Sequence, residues 1–258
     1  MKTLKQTGIA LALSLAVLVP AARAQTPAAA PAIDQDAIAA LTRMGTYLRS
    51  LKAFQIDVAI TDEDVLDDGQ KIQSETRTSL LARMPNGLRV ERSNDRVERL
   101  YLWDGKNASL LARRMNYYAT VPAPATIEEL IAVLDEQYGL DLPLVDLFLW
   151  GAPKWTPAQI KGAMVVGPSV VAGTTCDQYA FRQDEVDYQI WIQKGDYPLP
   201  RKIVITTKTD EARPQHTAVY TWNLAPSFND AAFTFDPPSD AQKIVFTEVT
   251  AAPAAAKK

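Results

Sequence analysis

DYQIWIQKGDYPLPRKIVITT, residues 187–207, consists of two runs of alternating apolar residues separated by a turn. Tyr188, Ile190 and Ile192 lie on one face of the first run, and Trp191 lies on the other. An antiparallel sheet commonly buries one face and leaves the other in water. The position of Trp191 therefore means that both faces are covered, or that the sheet presents an apolar surface to a molecule outside the chain.

Similar runs with a period of two residues occur along most of the sequence, separated by turn residues such as DDGQ (67–70) and DGKN (104–107). This pattern predicts antiparallel strands, and the two prolines at 198 and 200 are expected to lie outside them. The predicted strands are 54–60, 71–83, 88–93, 97–103 and 108–121 in a first group, and 163–173, 174–183, 186–194, 201–209 and 216–225 in a second.

Helical spacing appears before the first group of strands and between the two groups. Residues 34–52 carry one apolar face, and Asp34 is placed to cap the helix. The insert 122–162 holds a capping box formed by Thr126 and Glu129, and Gly139 ends the helical pattern. The stretch LPLVDLFLW (142–150) is apolar nearly all round, which predicts that it is deeply buried or lies over an apolar cavity.

These elements predict the α+β class. About ten antiparallel strands in one sheet must curl, and a strongly curved sheet with helices packed in its concave face fits the order of elements. One face of the curl is then packed on helices, and tails and turns partly cover the other. Trp191 can be core on either side.

The N-terminus is typical of a secretory signal peptide, residues 1–24. The apolar run GIALALSLAVLVP (8–20) is shorter than the roughly 20 residues of a membrane span, and ARA (22–24) places the cut between Ala24 and Gln25. An Ala/Pro-rich leader (25–32) and a tail (246–258) are expected to be disordered, which leaves one domain, 33–245. Loss of three basic residues with the signal takes the net charge from −3 to −6. An acidic chain argues against a nucleic-acid partner.

The sequence offers no recognisable catalytic or metal constellation. His216, the one His, is interpreted as a strand-edge residue, and Cys176, the one Cys, as a small buried residue. Calcium binding by DEDVLDDG (62–69) is disfavoured, because Leu66 stands where an oxygen ligand is needed. We therefore predict no cofactor, no metal and no enzyme activity, although a pair of distant carboxylates for glycoside cleavage stays open.

Apolar and aromatic residues stand out instead. The mature chain has five Trp, and Phe148, Leu149 and Trp150 adjoin one another in the insert. Each is accounted for as ordinary core, but together they favour a concave apolar cavity with a movable helical flap.

Three longer stretches carry a resemblance to a known family: IAALTRMGTYLRSLKAFQIDV (38–58), YQIWIQKGDYPLPRKIVI (188–205) and FTFDPPSDAQKI (233–244). MNYYATVPAP (115–124) and TWNLAP (221–226) add to it. The chain resembles a family of predicted periplasmic proteins, the domain of unknown function 2092, from about 33 to 245. Its architecture is similar to the LolA/LolB-like outer-membrane lipoprotein carriers. The resemblance implies a periplasmic half-barrel of about eleven strands, with helices in a concavity that in the carriers takes acyl chains.

Three functions follow as hypotheses. The first is a protein that binds or carries a lipid-like or lipoprotein acyl ligand. Its expected ligand-binding residues come from the insert and the sheet: Leu130, Leu134, Leu147, Phe148, Trp150, Ile190 and Ile192. The alternative is an envelope sensor or scaffold with a self-filled cavity and a protein partner. The third, a hydrolase, predicts a polar cleft with carboxylates converging around His216.

Overall fold

The computed structural model describes residues 32–153 and 155–246. The predicted signal peptide, and most of the predicted leader and tail, lie outside these residues. The helices are α1 (Gln35–Ser50), α2 (Ile127–Tyr138) and α3 (Asp146–Leu149). The strands are β1 (Ala53–Val65), β2 (Lys71–Arg83), β3 (Gly87–Ser93), β4 (Glu98–Trp103), β5 (Asn107–Ala112), β6 (Tyr117–Pro122), β7 (Gly162–Val171), β8 (Thr174–Arg182), β9 (Val186–Gln193), β10 (Pro200–Thr207), β11 (Gln215–Asn223) and β12 (Gln242–Lys243).

All twelve strands form one curved sheet that does not close, in the order β12-β6-β5-β4-β3-β2-β1-β11-β10-β9-β8-β7. Each neighbouring pair is antiparallel except β12 with β6. The α+β half-barrel predicted from the sequence is confirmed. Strands β1 and β11, distant in sequence, pair at the centre and join the two groups of strands.

The helix ends follow the capping signals of the sequence. Asp34 accepts a hydrogen bond from the N–H of Asp36 at 2.9 Å and caps α1. Thr126 accepts from the N–H of Glu129 at the start of α2. Gly139 ends α2 with φ 59°, a left-handed conformation that glycine adopts without steric cost.

The prediction of a single strand over 108–121 is wrong. A turn at 113–116 divides it into β5 and β6, so that six strands rather than five precede the insert. In this turn the N–H of Asn116 donates to the carbonyl of Arg113 at 3.2 Å, and Asn116 has φ 56°. Asn is one of the few residues that tolerate this conformation. A turn therefore forms where the apolar pattern alone predicts a continuous strand.

Pro200 also corrects an expectation, because it begins β10 instead of lying outside the strands. The first residue of a strand is a position where proline is found. The register with β9 shifts between Pro200 and Lys202, which marks a bulge at this point.

Trp191 lies on the convex face of the sheet, opposite the helices. It packs in a small cluster with Val171, Cys176, Val204 and Val219, which belong to β7, β8, β10 and β11. Its Nε1 donates to Ser169 Oγ at 3.1 Å, and Lys202 Nζ lies 4.9 Å from its ring centroid. Side chains of the sheet itself therefore cover Trp191, rather than the tails and turns expected from the sequence.

A chain segment does cover the convex face elsewhere. Leu100, Leu102 and Leu111 form a second convex cluster. Tyr118 packs on it together with Phe235 and Ala241, which come from the segment between β11 and β12.

Candidate ligand-binding site

Two apolar clusters fill most of the concave face, one beneath α1 and one beneath the insert. Ala37, Leu41 and Met44 of α1 pack on strands β8 and β9. Leu130 and Leu134 of α2 pack on strands β1 to β6, together with the α3 region. The predicted ligand-binding residues divide between these two clusters and do not line one common space.

Leu130 and Leu134 border an apolar cavity between α2 and strands β3 to β6. Its volume is about 20 Å³, enough for about one water molecule. Its walls include Leu88, Tyr101, Leu102, Trp103, Ala108, Ser109, Leu110, Val121, Leu140, Leu142 and Phe246. The side chains of the protein itself thus occupy most of the predicted cavity.

Leu147 and Phe148, both buried, lie at a second, larger space between the insert and α1. This cleft has a volume of about 60 Å³ and is also bordered by Phe54, whose ring centroid lies 6.2 Å from that of Phe148. Trp150 is partly buried and packs against both apolar clusters. Within the stretch 142–150, Leu142, Leu147 and Phe148 are buried, Asp146 and Leu149 are exposed, and the other residues are partly buried. The stretch is thus deeply buried only in part.

Ile190 and Ile192 are buried under α1 together with Tyr179 and Phe181. Neither isoleucine borders the cavity or the cleft. They face the concave side, and a ligand reaches them only if it extends under α1.

Asp146 is the one charge of the stretch 142–150, and it lies over the concave face. The apolar surroundings raise the pKa of its carboxyl, and the nearby His216 opposes this shift. Burial raises the pKa of Tyr188 and of Tyr220 above the usual value, and the Asp146 charge adds to both shifts. The concave face thus combines apolar walls with a group of polar side chains.

A polar cleft lies at the ends of β1, β2, β3 and β11, with a volume of about 350 Å³. We call it the polar cleft. Its walls include Asp62, Glu63, Asp64, Ser74, Thr76, Arg92, Asn94 and His216. His216 Nδ1 lies 2.5 Å from Asp62 Oδ1, and these residues face each other between β11 and β1. The sequence alone does not indicate this pair, because 154 positions separate the two residues.

The polar cleft has carboxylates near His216, as the hydrolase hypothesis predicts, but several of its charged groups already form bonds within the protein. Glu63 Oε2 accepts from Lys71 Nζ and from the N–H of Gln215, both at 2.9 Å. Ser74 faces Asp62 from the side opposite His216, so Asp62 lies between the hydroxyl and the imidazole. A Ser-His-Asp relay needs the imidazole between the other two groups, and this order does not provide it.

Cys176 is fully buried, as predicted, and its thiol donates to the carbonyl of Thr174 at 3.4 Å. The residues that the structure describes contain no cluster of three or more His, Cys, Asp or Glu arranged to hold a metal ion. In the same part of the chain, no helix is both long and apolar enough to cross a membrane.

Solved structures with a similar architecture have low sequence identity to the chain. An uncharacterized conserved protein from Thermus thermophilus is 14% identical at a TM-score of 0.47, over 82% of this chain and 99% of that one. Lipoprotein LppX of Mycobacterium tuberculosis is 9% identical at 0.43, over 76% and 100%. A LolA superfamily protein from Nitrosomonas europaea is 10% identical at 0.37, over 77% and 97%.

No curated protein sequence matches the chain. A family model described as "Predicted periplasmic protein (DUF2092)" matches residues 37–247, nearly the whole range over which the sequence resembles that family. The periplasmic location predicted from the sequence agrees with this description. The chain belongs to the DUF2092 family of predicted periplasmic proteins.

Proposed function

We propose that the protein binds an apolar, lipid-like or acyl ligand in the concave face of its sheet, and that the insert 122–162 is the lid. The observation that carries this proposal is the apolar cavity under α2, bordered by Leu130 and Leu134. In the closed form its volume of about 20 Å³ is too small for an acyl chain. Binding therefore requires the insert to move away from the sheet.

The insert is attached to the rest of the fold mainly by apolar packing. Its polar links to the helix and the sheet include the Arg49–Glu128 ion pair at 3.0 Å and the bond from Trp103 Nε1 to the carbonyl of Pro124, also 3.0 Å. An acyl chain can replace apolar contacts of this kind without leaving polar groups unpaired. Leu130, Leu134, Leu147, Phe148 and Trp150 then contact the ligand first, with Ile190 and Ile192 at its far end.

A rough balance of free energies gives the acyl-chain length that is needed for binding. Exposing a large apolar side chain costs about 2 kcal/mol, so exposing Leu130, Leu134, Leu147 and Phe148 costs roughly 8 kcal/mol. Each buried methylene group of an acyl chain returns about 0.8 kcal/mol. About ten methylene groups therefore offset the cost of opening, and we expect chains of roughly 12 carbons or more to bind and shorter ones to bind weakly.

Native mass spectrometry of the mature protein, purified from the periplasm without detergent, tests the proposal. We expect an added lipid-sized mass that solvent extraction removes, and its loss in a Phe148→Asp, Trp150→Asp double variant. Leu149→Asp is the matched control, because Leu149 lies between them and is exposed. A bare protein mass, with no uptake from added lipid vesicles, contradicts the proposal.

The second candidate is an envelope sensor or scaffold with a protein partner. The small volume of the apolar cavity favours it, since a self-filled concavity is what this function predicts. Edge strand β7 exposes Met164, Val166 and Val170, which suits contact with another protein. Crosslinking in intact cells through a photoreactive residue at position 166, against position 77 as a control, distinguishes this candidate: an adduct of protein size at 166 supports it.

A further inference from the structure

Two arginines and a threonine form a row across three neighbouring strands. Thr78 of β2 faces Arg92 of β3, and Arg92 faces Arg99 of β4. Their side chains are on the concave face, because the adjacent row on the same strands, Leu80, Val90 and Tyr101, is part of the concave core. We call these three residues the arginine row.

The charges of the arginine row have no counterpart within the described residues. Directly opposite side chains on antiparallel strands have Cβ atoms about 5 Å apart, and like charges in this arrangement repel. Neither Arg92 nor Arg99 forms an ion pair or a side-chain hydrogen bond there. By contrast, Arg89, on the convex side of β3, and Arg113, in the turn after β5, both pair with Glu91.

The arginine row also contains buried polar atoms that form no hydrogen bond. Two buried side-chain polar atoms in the described part of the chain have no partner, and they are Thr78 Oγ1 and Arg92 Nε. Thr78 is only 2% exposed. Because buried polar groups are nearly always paired, two unpaired donors that face each other across one strand pair indicate a missing acceptor.

The row lies between the polar cleft and the apolar cavity. Arg92 borders the polar cleft, in which Glu63 pairs with Lys71, Asp62 pairs with His216, and Asp64 forms no ion pair with a described residue. Tyr101, two residues beyond Arg99, borders the apolar cavity. At 3.3 Å per residue, the cationic row and the apolar wall are about 7 Å apart along one strand. This spacing fits a molecule with an anionic head and an apolar chain.

We propose that Arg92 and Arg99, with the hydroxyl of Thr78, bind a single oxyanion, the phosphate or carboxylate head group of the ligand. This inference rests on the proposed function, since the apolar cavity takes the chain of the same molecule. The guanidinium group matches the geometry of phosphate and carboxylate oxygens with paired donors. An oxyanion between the two arginines also removes their mutual repulsion.

Isothermal titration calorimetry with three probes tests the assignment: dodecyl phosphate, dodecyl maltoside and inorganic phosphate, each below any micelle-forming concentration. The variants are Arg92→Gln, Arg99→Gln and the double variant. Arg77→Gln is the matched control, because Arg77 is an exposed arginine of β2 whose side chain is on the opposite face. We expect each single variant to weaken dodecyl phosphate binding at least tenfold, with dodecyl maltoside unchanged and Arg77→Gln within twofold of wild type.

The outcomes separate the head-group site from the proposed function. If both dodecyl compounds bind wild type equally and the arginine variants change neither, the head-group site is wrong and the apolar site stands. If inorganic phosphate alone binds, and the double variant abolishes it, the oxyanion site stands with free phosphate as its source and the lipid function fails. If no probe binds, both fail. Thermal unfolding adds a second readout: without ligand, the double variant should melt no lower than wild type, because repulsion is removed.

Discussion

Gly45 of α1 and Gly151 of the insert bring the two backbones into close contact. A Cβ atom added at Gly45 would lie 2.8 Å from the backbone nitrogen of Gly151, closer than packed atoms tolerate. This contact places the backbone of the insert directly on α1. The absence of a side chain at position 45 therefore serves packing, and not helix formation, which glycine disfavours.

We predict that Gly45→Ala lowers the free energy of unfolding by about 1 kcal/mol or more. Overpacking costs roughly 1–3 kcal/mol, and the better helix propensity of alanine returns at most about 1 kcal/mol. Chemical denaturation measures the difference. Thr46→Ala, at the adjacent exposed position, is the control and should be neutral or slightly stabilising. A Gly45→Ala variant more stable than wild type would show that the insert gives way easily at this point.

Trp191 provides a second prediction for a single residue. Trp191→Ala should destabilise the fold by about 3 kcal/mol, the low end of the range for a buried aromatic. Because Trp191 is on the convex face, its loss should leave dodecyl phosphate binding within twofold of wild type. Val170→Ala, at a position that is 67% exposed on edge strand β7, should change neither quantity. Loss of binding in a folded Trp191→Ala variant would place the ligand on the convex side.

At the scale of elements, strands β8, β9 and β10 are held together at one end by the carboxylate of Asp187. It lies 3.1 Å from Arg182 Nε and 3.3 Å from Lys208 Nζ. Partial burial acts to raise the pKa of Asp187, but the hydrogen bonds from Arg182 and Lys208 outweigh it and lower the pKa.

A lowered pKa in the folded state means that Asp187 stabilises the protein above the unfolded-state pKa of about 3.9. That contribution is lost as the pH falls through this value toward the lower folded-state pKa. We predict that Asp187→Asn costs about 1 kcal/mol at pH 7 and progressively less as the pH is lowered to about 2. Urea unfolding at several pH values measures this. Asp184→Asn, which removes an exposed partner 3.6 Å from Lys161, should have little effect at any pH.

For the whole molecule, the central strands and the insert should differ in local stability. Strands β1, β2 and β11 pair along most of their length at the middle of the sheet. The insert is an addition to the concave face between β6 and β7. Regions with fewer buried contacts than the core open locally at a lower free-energy cost.

We predict that amides of α2 exchange with solvent through openings at least about 2 kcal/mol easier than those of β1 and β2. Dodecyl phosphate should change the protection of α2 while leaving β1 unchanged, since only the insert has to move. Native-state hydrogen exchange resolves both regions. If the amides of α2 exchanged only through global unfolding, the insert would not act as a lid, and the scaffold function would be favoured.

Local signals in the sequence determined the elements and the family. Alternation with a period of two predicted most strands, and residues such as Gly69 and Gly105 predicted turns. Asp34, Thr126 and Gly139 predicted the helix ends. These signals work because each preference depends on only a few neighbouring residues. They failed at Asn116, where a turn interrupts a continuous apolar pattern. The predicted apolar residues of the insert lie over the concave face, where Trp150 is partly buried and the others are buried.

Only the tertiary structure decided which side chains meet. Strand register brought His216 to Asp62 and aligned Thr78, Arg92 and Arg99 in one row, and the curl of the sheet divided the predicted ligand-binding residues between two clusters. Alternation tells which residues share a face, but a shift in register pairs different residues on that face at little local cost. The register follows from the packing of the whole sheet on its helices, so neither the arginine row nor the nearly filled cavity could be derived from neighbouring residues.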